Sequence, residues 1–182
     1  MKIKVGVMGS ASETESNDRE SLTRKAEELG RLIAARNLLL LTGATTGVVY
    51  VVGKTAFDSG GFHVGISPAH NGQEHSDLYK LPLDACDVVI YTGFGLKGRN
   101  VVLVRSCDIV LFIAGGMGSL NEFTIAHDER KIIGCLRGTG GVADEADALL
   151  QRFSKLTDTR VFQDEDPKGL LDACLGIIES RS

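Results

Sequence analysis

The chain has no Cys-x-x-C pair, no histidines at metal-ligand spacing, no basic stripe and no long apolar run. Its four cysteines, Cys86, Cys107, Cys135 and Cys174, stand far apart. They offer neither a disulfide framework nor a zinc site and read as buried thiols. His70 and His75 lie five residues apart in a polar stretch, which does not align them on one helix face, so no metal is expected. Lys and Arg are interleaved with a slight excess of Asp and Glu, giving a formal charge of -4 and arguing against nucleic acid as a partner. The start, Met1-Lys-Ile-Lys-Val-Gly-Val, runs straight into a strand without the features of a secretory signal, so a cytoplasmic protein with no membrane association is expected. No internal repeat or low-complexity segment interrupts the 182 residues. That length suits one domain with a full core, spanning 1–182.

What the sequence does have is alternation. Apolar runs of about five residues are separated by longer amphipathic stretches, the pattern of repeated βα units. Strands are predicted at Ile3 to Met8, Leu38 to Leu41, Phe62 to Ile66, Val88 to Tyr91, Ile109 to Ile113, Lys131 to Leu136 and Thr159 to Phe162. Leu22, Ala26, Leu29 and Ile33 recur at helical spacing, behind a capping-box start at Asn17 and Glu20. Further helices are predicted at Val48 to Asp58, Arg99 to Ser106, Leu120 to Arg130, Asp144 to Phe153 and Pro167 to Glu179, the last opened by its proline. Ser67 to Leu83 holds two of the three prolines and reads as a long surface loop. The expected fold is α/β: a Rossmann-like, doubly wound parallel sheet of six or seven strands with helices on both faces.

In such sheets ligands bind beyond the carboxyl ends of the strands, and three Gly-rich turns fall there. Gly9-Ser10-Ala11-Ser12 follows the first strand, Thr42-Gly43-Ala44-Thr45-Thr46-Gly47 the second and Ala114-Gly115-Gly116-Met117-Gly118-Ser119 the fifth. Glycine lets the backbone approach a ligand, and the free N–H groups of a first helical turn attract phosphate. The candidate phosphate-binding residues are therefore Gly9, Ser10, Gly43, Thr45, Thr46, Gly47, Gly115, Gly116, Gly118 and Ser119. Two other motifs fail. Gly53-Lys54-Thr55 has the wrong spacing from Gly47 for a P-loop, and Gly93-Phe94-Gly95-Leu96-Lys97-Gly98 lacks the acidic residue that an NAD ribose requires after the next strand.

Gly98 to Glu122 resembles the superfamily that contains the Lonely Guy (LOG) phosphoribohydrolases and the molybdenum-cofactor carrier proteins. In the hydrolases a helical Arg precedes a strand and then P-G-G-x-G-T-x-x-E; here Arg99 precedes Ala114-Gly-Gly-Met-Gly-Ser-Leu-Asn-Glu122 at the family separation. Arg105 matches the helix's second Arg and Asp108 the acid before the strand, and the order of elements agrees throughout. Ala114 replaces the family proline, Ser119 its threonine and Asn100 the lysine beside the arginine, while Leu96-Lys97 stands where the hydrolases have Met-His. Gly98-Arg99-Asn100 and Gly138-Thr139-Gly140-Gly141 resemble the uncharacterised and cofactor-carrier branches more than the plant enzymes. Relatives have also carried the label "lysine decarboxylase", but no lysine here stands in a pyridoxal-phosphate setting.

The resemblance implies Arg99 and Glu122 as catalytic residues if the chain hydrolyses the N-glycosidic bond of an AMP-like nucleoside 5′-monophosphate. Glu122 would stabilise the cationic sugar or activate water, and Arg99 would grip phosphate or orient the carboxylate through a bidentate pair. No additional cofactor is required for that reaction. The alternative is a carrier that holds a nucleotide, or a pterin phosphate such as molybdenum cofactor, without turnover. Each residue also has a plainer reading. Ser119-Leu-Asn-Glu122 is itself a capping box, Arg99 and Asp108 read equally as ion-paired side chains, and the role of Arg105 is open. The resemblance also implies a homodimer or higher oligomer, consistent with the apolar Val48, Val51, Val52 and Phe57 on one helix.

Overall fold

Strand β5 (Ile109–Ile113) shows how the sequence sets the layers, because successive side chains of a strand point to opposite faces. Ile109, Leu111 and Ile113 enter one core, Val110 and Phe112 the other, and all five are buried. A strand covered on both sides reads as an unbroken apolar run. The computed structural model describes residues 1–11, 19–153 and 158–180.

Six further strands flank β5: β1 (Lys4–Gly9), β2 (Leu39–Thr42), β3 (Phe62–Ser67), β4 (Val88–Tyr91), β6 (Ile132–Leu136) and β7 (Arg160–Asp164). Together they form one seven-stranded parallel sheet in the order β4-β3-β2-β1-β5-β6-β7. On one face lie α1 (Arg19–Ala35), α2 (Gly47–Asp58) and α7 (Pro167–Glu179), packed through Leu29, Val52 and Leu171. On the other lie α4 (Gly95–Ser106), α5 (Met117–Asp128) and α6 (Gly141–Phe153), packed through Leu103, Phe123 and Ala146. The expected doubly wound sheet is thus present. The chain winds outward from β1 toward β4 and then returns to β5 on the other side of β1. The strand order reverses between these two central strands, where a crevice opens at their carboxyl ends.

The differences from the sequence reading are local. Helices α4, α5 and α6 begin at Gly95, Met117 and Gly141, earlier than the predicted Arg99, Leu120 and Asp144, because their first turns are glycine-rich and carry no apolar periodicity. The predicted loop from Ser67 contains a short helix, α3 (Gly72–Asp77), capped where the Asn71 side chain accepts from the Glu74 N–H, and it buries His75. The capping box at Asn17 lies outside the described residues. At the other end, Pro167 occupies the first turn of α7, as the sequence predicts, and Asp166 caps it by accepting from the N–H groups of Lys168 and Gly169.

Val48, Val51 and Val52 of α2 find their partners inside the chain, while Phe57 is half-buried outside the core. Val48 and Val52 are buried in the core, and Gly30 of α1 packs against the backbone of Val52 so closely that a Cβ would collide with it. Val48 and Val52 are thus taken up by the core. Exposed apolar side chains gather instead on edge strand β4 and the start of α4, at Val88, Ile90, Tyr91, Phe94 and Leu96. No helix among the described residues is long and apolar enough to cross a membrane.

Candidate ligand-binding site

At the carboxyl ends of β1, β2 and β5 lies a cavity of about 330 Å³. That is within the usual range for a small-molecule site. Its lining includes Gly9, Ser10, Gly43, Thr45, Arg99, Gly116, Gly118, Ser119 and Glu122, so most of the residues singled out in the sequence converge here. Thr46, Gly47 and Gly115 do not line it. Thr46 donates its hydroxyl to the Ala11 carbonyl, Gly47 packs against Ser10 and Ala11, and the Gly115 carbonyl accepts from Val142 N–H at the start of α6.

The three Gly-rich turns are therefore not equivalent. At α2 the Val48 N–H is already committed to the Ser10 carbonyl, at 3.1 Å. At α5 the carbonyls of Ala114 and Gly115 turn away to accept from Ala143 and Val142, and Gly116 caps the helix with no side-chain bond. This leaves the N–H groups of Met117, Gly118 and Ser119 without acceptors among the described residues. A Cβ on Gly116 would meet nothing within 4 Å. An open first turn of this kind combines unsatisfied donors with the positive end of the helix dipole, the features that attract an anion. Lys97, in the first turn of α4, brings its ammonium to the same place, 3.8 Å from where a Cβ on Gly118 would sit.

Ser119 lies inside α5 and is not its cap, so the capping-box reading of Ser119 and Glu122 does not hold; the Ser119 hydroxyl donates to the Gly9 carbonyl at 3.1 Å and ties α5 to β1. Glu122, one turn on, points into the site and is only 6% exposed. Its Oε1 receives Arg99 Nη1 at 3.4 Å, one long contact in place of the expected bidentate pair. With the Asn100 amide turned, Asn100 Nδ2 donates to the same Oε1 at 3.1 Å and to the Leu96 carbonyl at 3.0 Å. Burial pushes the Glu122 carboxyl up to about 7, against the opposing pull of Arg99 and Lys97. Burial likewise lowers Arg99, and Glu122 partly offsets this. The guanidinium retains unused capacity: Nε is buried without an acceptor among the described residues. Arg99 itself lines the cavity, and a guanidinium there suits an anionic ligand.

Gly43 explains how Arg99 is placed. A Cβ there would collide with the guanidinium, so only glycine lets the β2–α2 turn lie flat against it. Asp108 and Arg105 lie elsewhere. Asp108 pairs with Lys4 at 2.9 Å at the opposite end of the sheet, and Arg105 pairs with Glu129 at 2.6 Å between the far ends of α4 and α5.

The sequence reading passed over two buried histidines behind the site. His63, on β3, has Nδ1 against the Ala85 carbonyl and Nε2 2.8 Å from Thr42 Oγ1, which accepts from the Ala44 N–H at 3.1 Å. His75 repeats the arrangement one strand over: its Nε2 meets the Pro82 carbonyl, its Nδ1 lies 2.8 Å from Ser67 Oγ, and that oxygen accepts from Ala69 N–H at 3.0 Å. The available signal was a hydroxyl residue closing each strand with an N–H donor two residues on, at Thr42 to Ala44 and Ser67 to Ala69. The four cysteines are free; Cys107, Cys135 and Cys174 are buried, Cys86 is partly buried, and burial raises each thiol to about 12.

Comparison with known proteins gives a consistent picture. The sequence model of the SLOG cluster4 family matches residues 2–171. An uncharacterised protein of Archaeoglobus fulgidus is 33% identical over 135 residues, covering 74% of this chain and 80% of its own. Among solved structures, TM1055 superposes with a TM-score of 0.78 at 28% identity over 99% of both chains. The molybdenum cofactor binding protein of Rippkaea orientalis gives 0.76 at 28% over 98% of both. The molybdenum cofactor carrier protein of Chlamydomonas reinhardtii gives 0.76 at 26%, over 98% of this chain and 99% of its own.

Proposed function

The chain belongs to the SLOG cluster4 family, and from that premise we propose that it binds a heterocyclic ligand carrying a phosphate, of the molybdenum-cofactor class, and holds it without turnover. The observation that carries this reading is the open first turn of α5, where Gly118 and Ser119, with backbone N–H groups unpaired among the described residues, line one cavity together with Lys97 and Arg99. The phosphate would lie on the N–H groups of Met117, Gly118 and Ser119. The ring would lie against the apolar part of the lining, Val7, Met8 and Val49. The likeness to a cofactor binding protein and a cofactor carrier supports the ligand class.

The residues present fit such a cargo through its phosphate and ring. No group of three or more His, Cys, Asp or Glu that could hold a metal occurs among the described residues. Recognition would accordingly rest on the organic part of the cofactor. Arg99 and Asn100 share Oε1 of Glu122 and fix its carboxyl group, which near neutral pH is present in both protonation states and can donate to or accept from a ring edge.

The same carboxyl supports a second reading, hydrolysis of a nucleoside 5′-monophosphate. A group raised to about 7 by burial is suited to protonating a departing base as the N-glycosidic bond breaks and water adds to the ribose C1′. Against it stands Asn100, buried where the hydrolases carry lysine. Two assays separate the readings: retention of molybdenum cofactor through gel filtration, and release of free base from a panel of nucleoside monophosphates. Cofactor retained with no base released supports the carrier, whereas base release at enzymic rates establishes the hydrolase.

A further inference from the structure

His63 is 2% exposed and no ligand can reach it, yet its contacts lead to the cavity wall. The Ala85 carbonyl can only accept, so the proton of the neutral ring is on Nδ1 and Nε2 is left as an acceptor. Thr42 must then donate its hydroxyl to Nε2, which leaves its oxygen free to accept the Ala44 N–H. Ala44 adopts φ 47°, a left-handed conformation that side chains other than glycine take at a cost, and this hydrogen bond holds it there. The residue between them is Gly43, whose bare Cα lies against the Arg99 guanidinium. His63 is fixed in turn, since Gly53 of α2 abuts its ring and Asp87 accepts its backbone N–H at 2.8 Å.

We propose that His63 is a positioning residue for the ligand site: through the Thr42 hydroxyl it sets the Gly43–Ala44 turn that backs Arg99 and aims the guanidinium into the cavity. The inference rests on the reading of Arg99 as a ligand contact. It goes further by assigning a function to a buried pair outside the lining. A Thr–His pair that merely filled the core would be replaceable by any group of equal volume. A positioning pair requires the hydroxyl and the ring acceptor.

Thr42→Val keeps the shape and removes the hydroxyl, Thr42→Ser keeps the hydroxyl, and His63→Gln replaces the ring. Each is assayed by thermal melting, by titration with adenosine 5′-monophosphate, and by the ¹⁵N–¹H resonance of the Arg99 Nε group. The expected result is about tenfold weaker binding and a displaced Arg99 resonance in Thr42→Val and in His63→Gln, with both restored in Thr42→Ser. The double variant should be no worse than either single one, since both break the same relay. Melting temperatures that fall while affinity and the Arg99 resonance stay unchanged overturn the proposal. Should the wild-type protein bind no phosphorylated probe, the ligand reading fails separately. The Arg99 resonance then still decides the relay: displacement in Thr42→Val and His63→Gln but not in Thr42→Ser supports it, and an unmoved signal rejects it.

Discussion

At the scale of single residues, Glu122 makes the most exposed prediction. Its carboxyl group is raised to about 7 in the fold against about 4.3 in an unfolded chain, so the folded state holds the proton more tightly. Stability on this account is fully present below about 4.3, falls as pH rises through that window and levels off above about 7. Glu122→Gln cannot titrate. Its melting temperature is expected to gain on that of the wild type between pH 5 and pH 8, by the equivalent of about 2 kcal/mol, and parallel melting curves across that range would show that the carboxyl is not held in this way. Lys97 is the second test. It is exposed and lines the cavity, so Lys97→Ala should weaken a phosphorylated ligand about fivefold, more at low salt than at high, and leave its dephosphorylated counterpart unchanged by calorimetry.

At the scale of elements, the decisive unit is the β5–α5 turn. Ala114, at the family's proline position, adopts φ 54°, which a proline ring cannot reach. Ala114→Pro is therefore expected to destabilise the fold by about 3 kcal/mol and Ala114→Gly to leave it at least as stable, both read by chemical denaturation. The substitution that looks mild in sequence thus marks a turn with its own backbone. Strands β4 and β5 and helix α7 were legible to the residue, because an unbroken apolar run and a proline at a helix start need no tertiary information. The start of α5 was not legible. Its cap is Gly116, and the Ser119–Glu122 spacing imitates a capping box one turn too late. Helix α3 escaped notice because six residues are too few to show a period.

At the scale of the whole molecule, the reversal of strand order between β1 and β5 brings α4 and α5 over the carboxyl ends of the central strands. Arg99 and Glu122, 23 residues apart, meet there. Which residues would converge was legible from topology and resemblance; how the donors are shared was not, because only the folded backbone shows that α2 uses a first-turn N–H on Ser10 while α5 leaves three open. We infer that this asymmetry makes the site a receptor for the phosphate of a heterocyclic ligand. Calorimetric titration with a pterin monophosphate and with the same pterin lacking the phosphate tests it most directly. The expected result is about a hundredfold or greater preference for the phosphorylated form, the scale of several charge-assisted hydrogen bonds to one anion. Equal affinity for the two would contradict it.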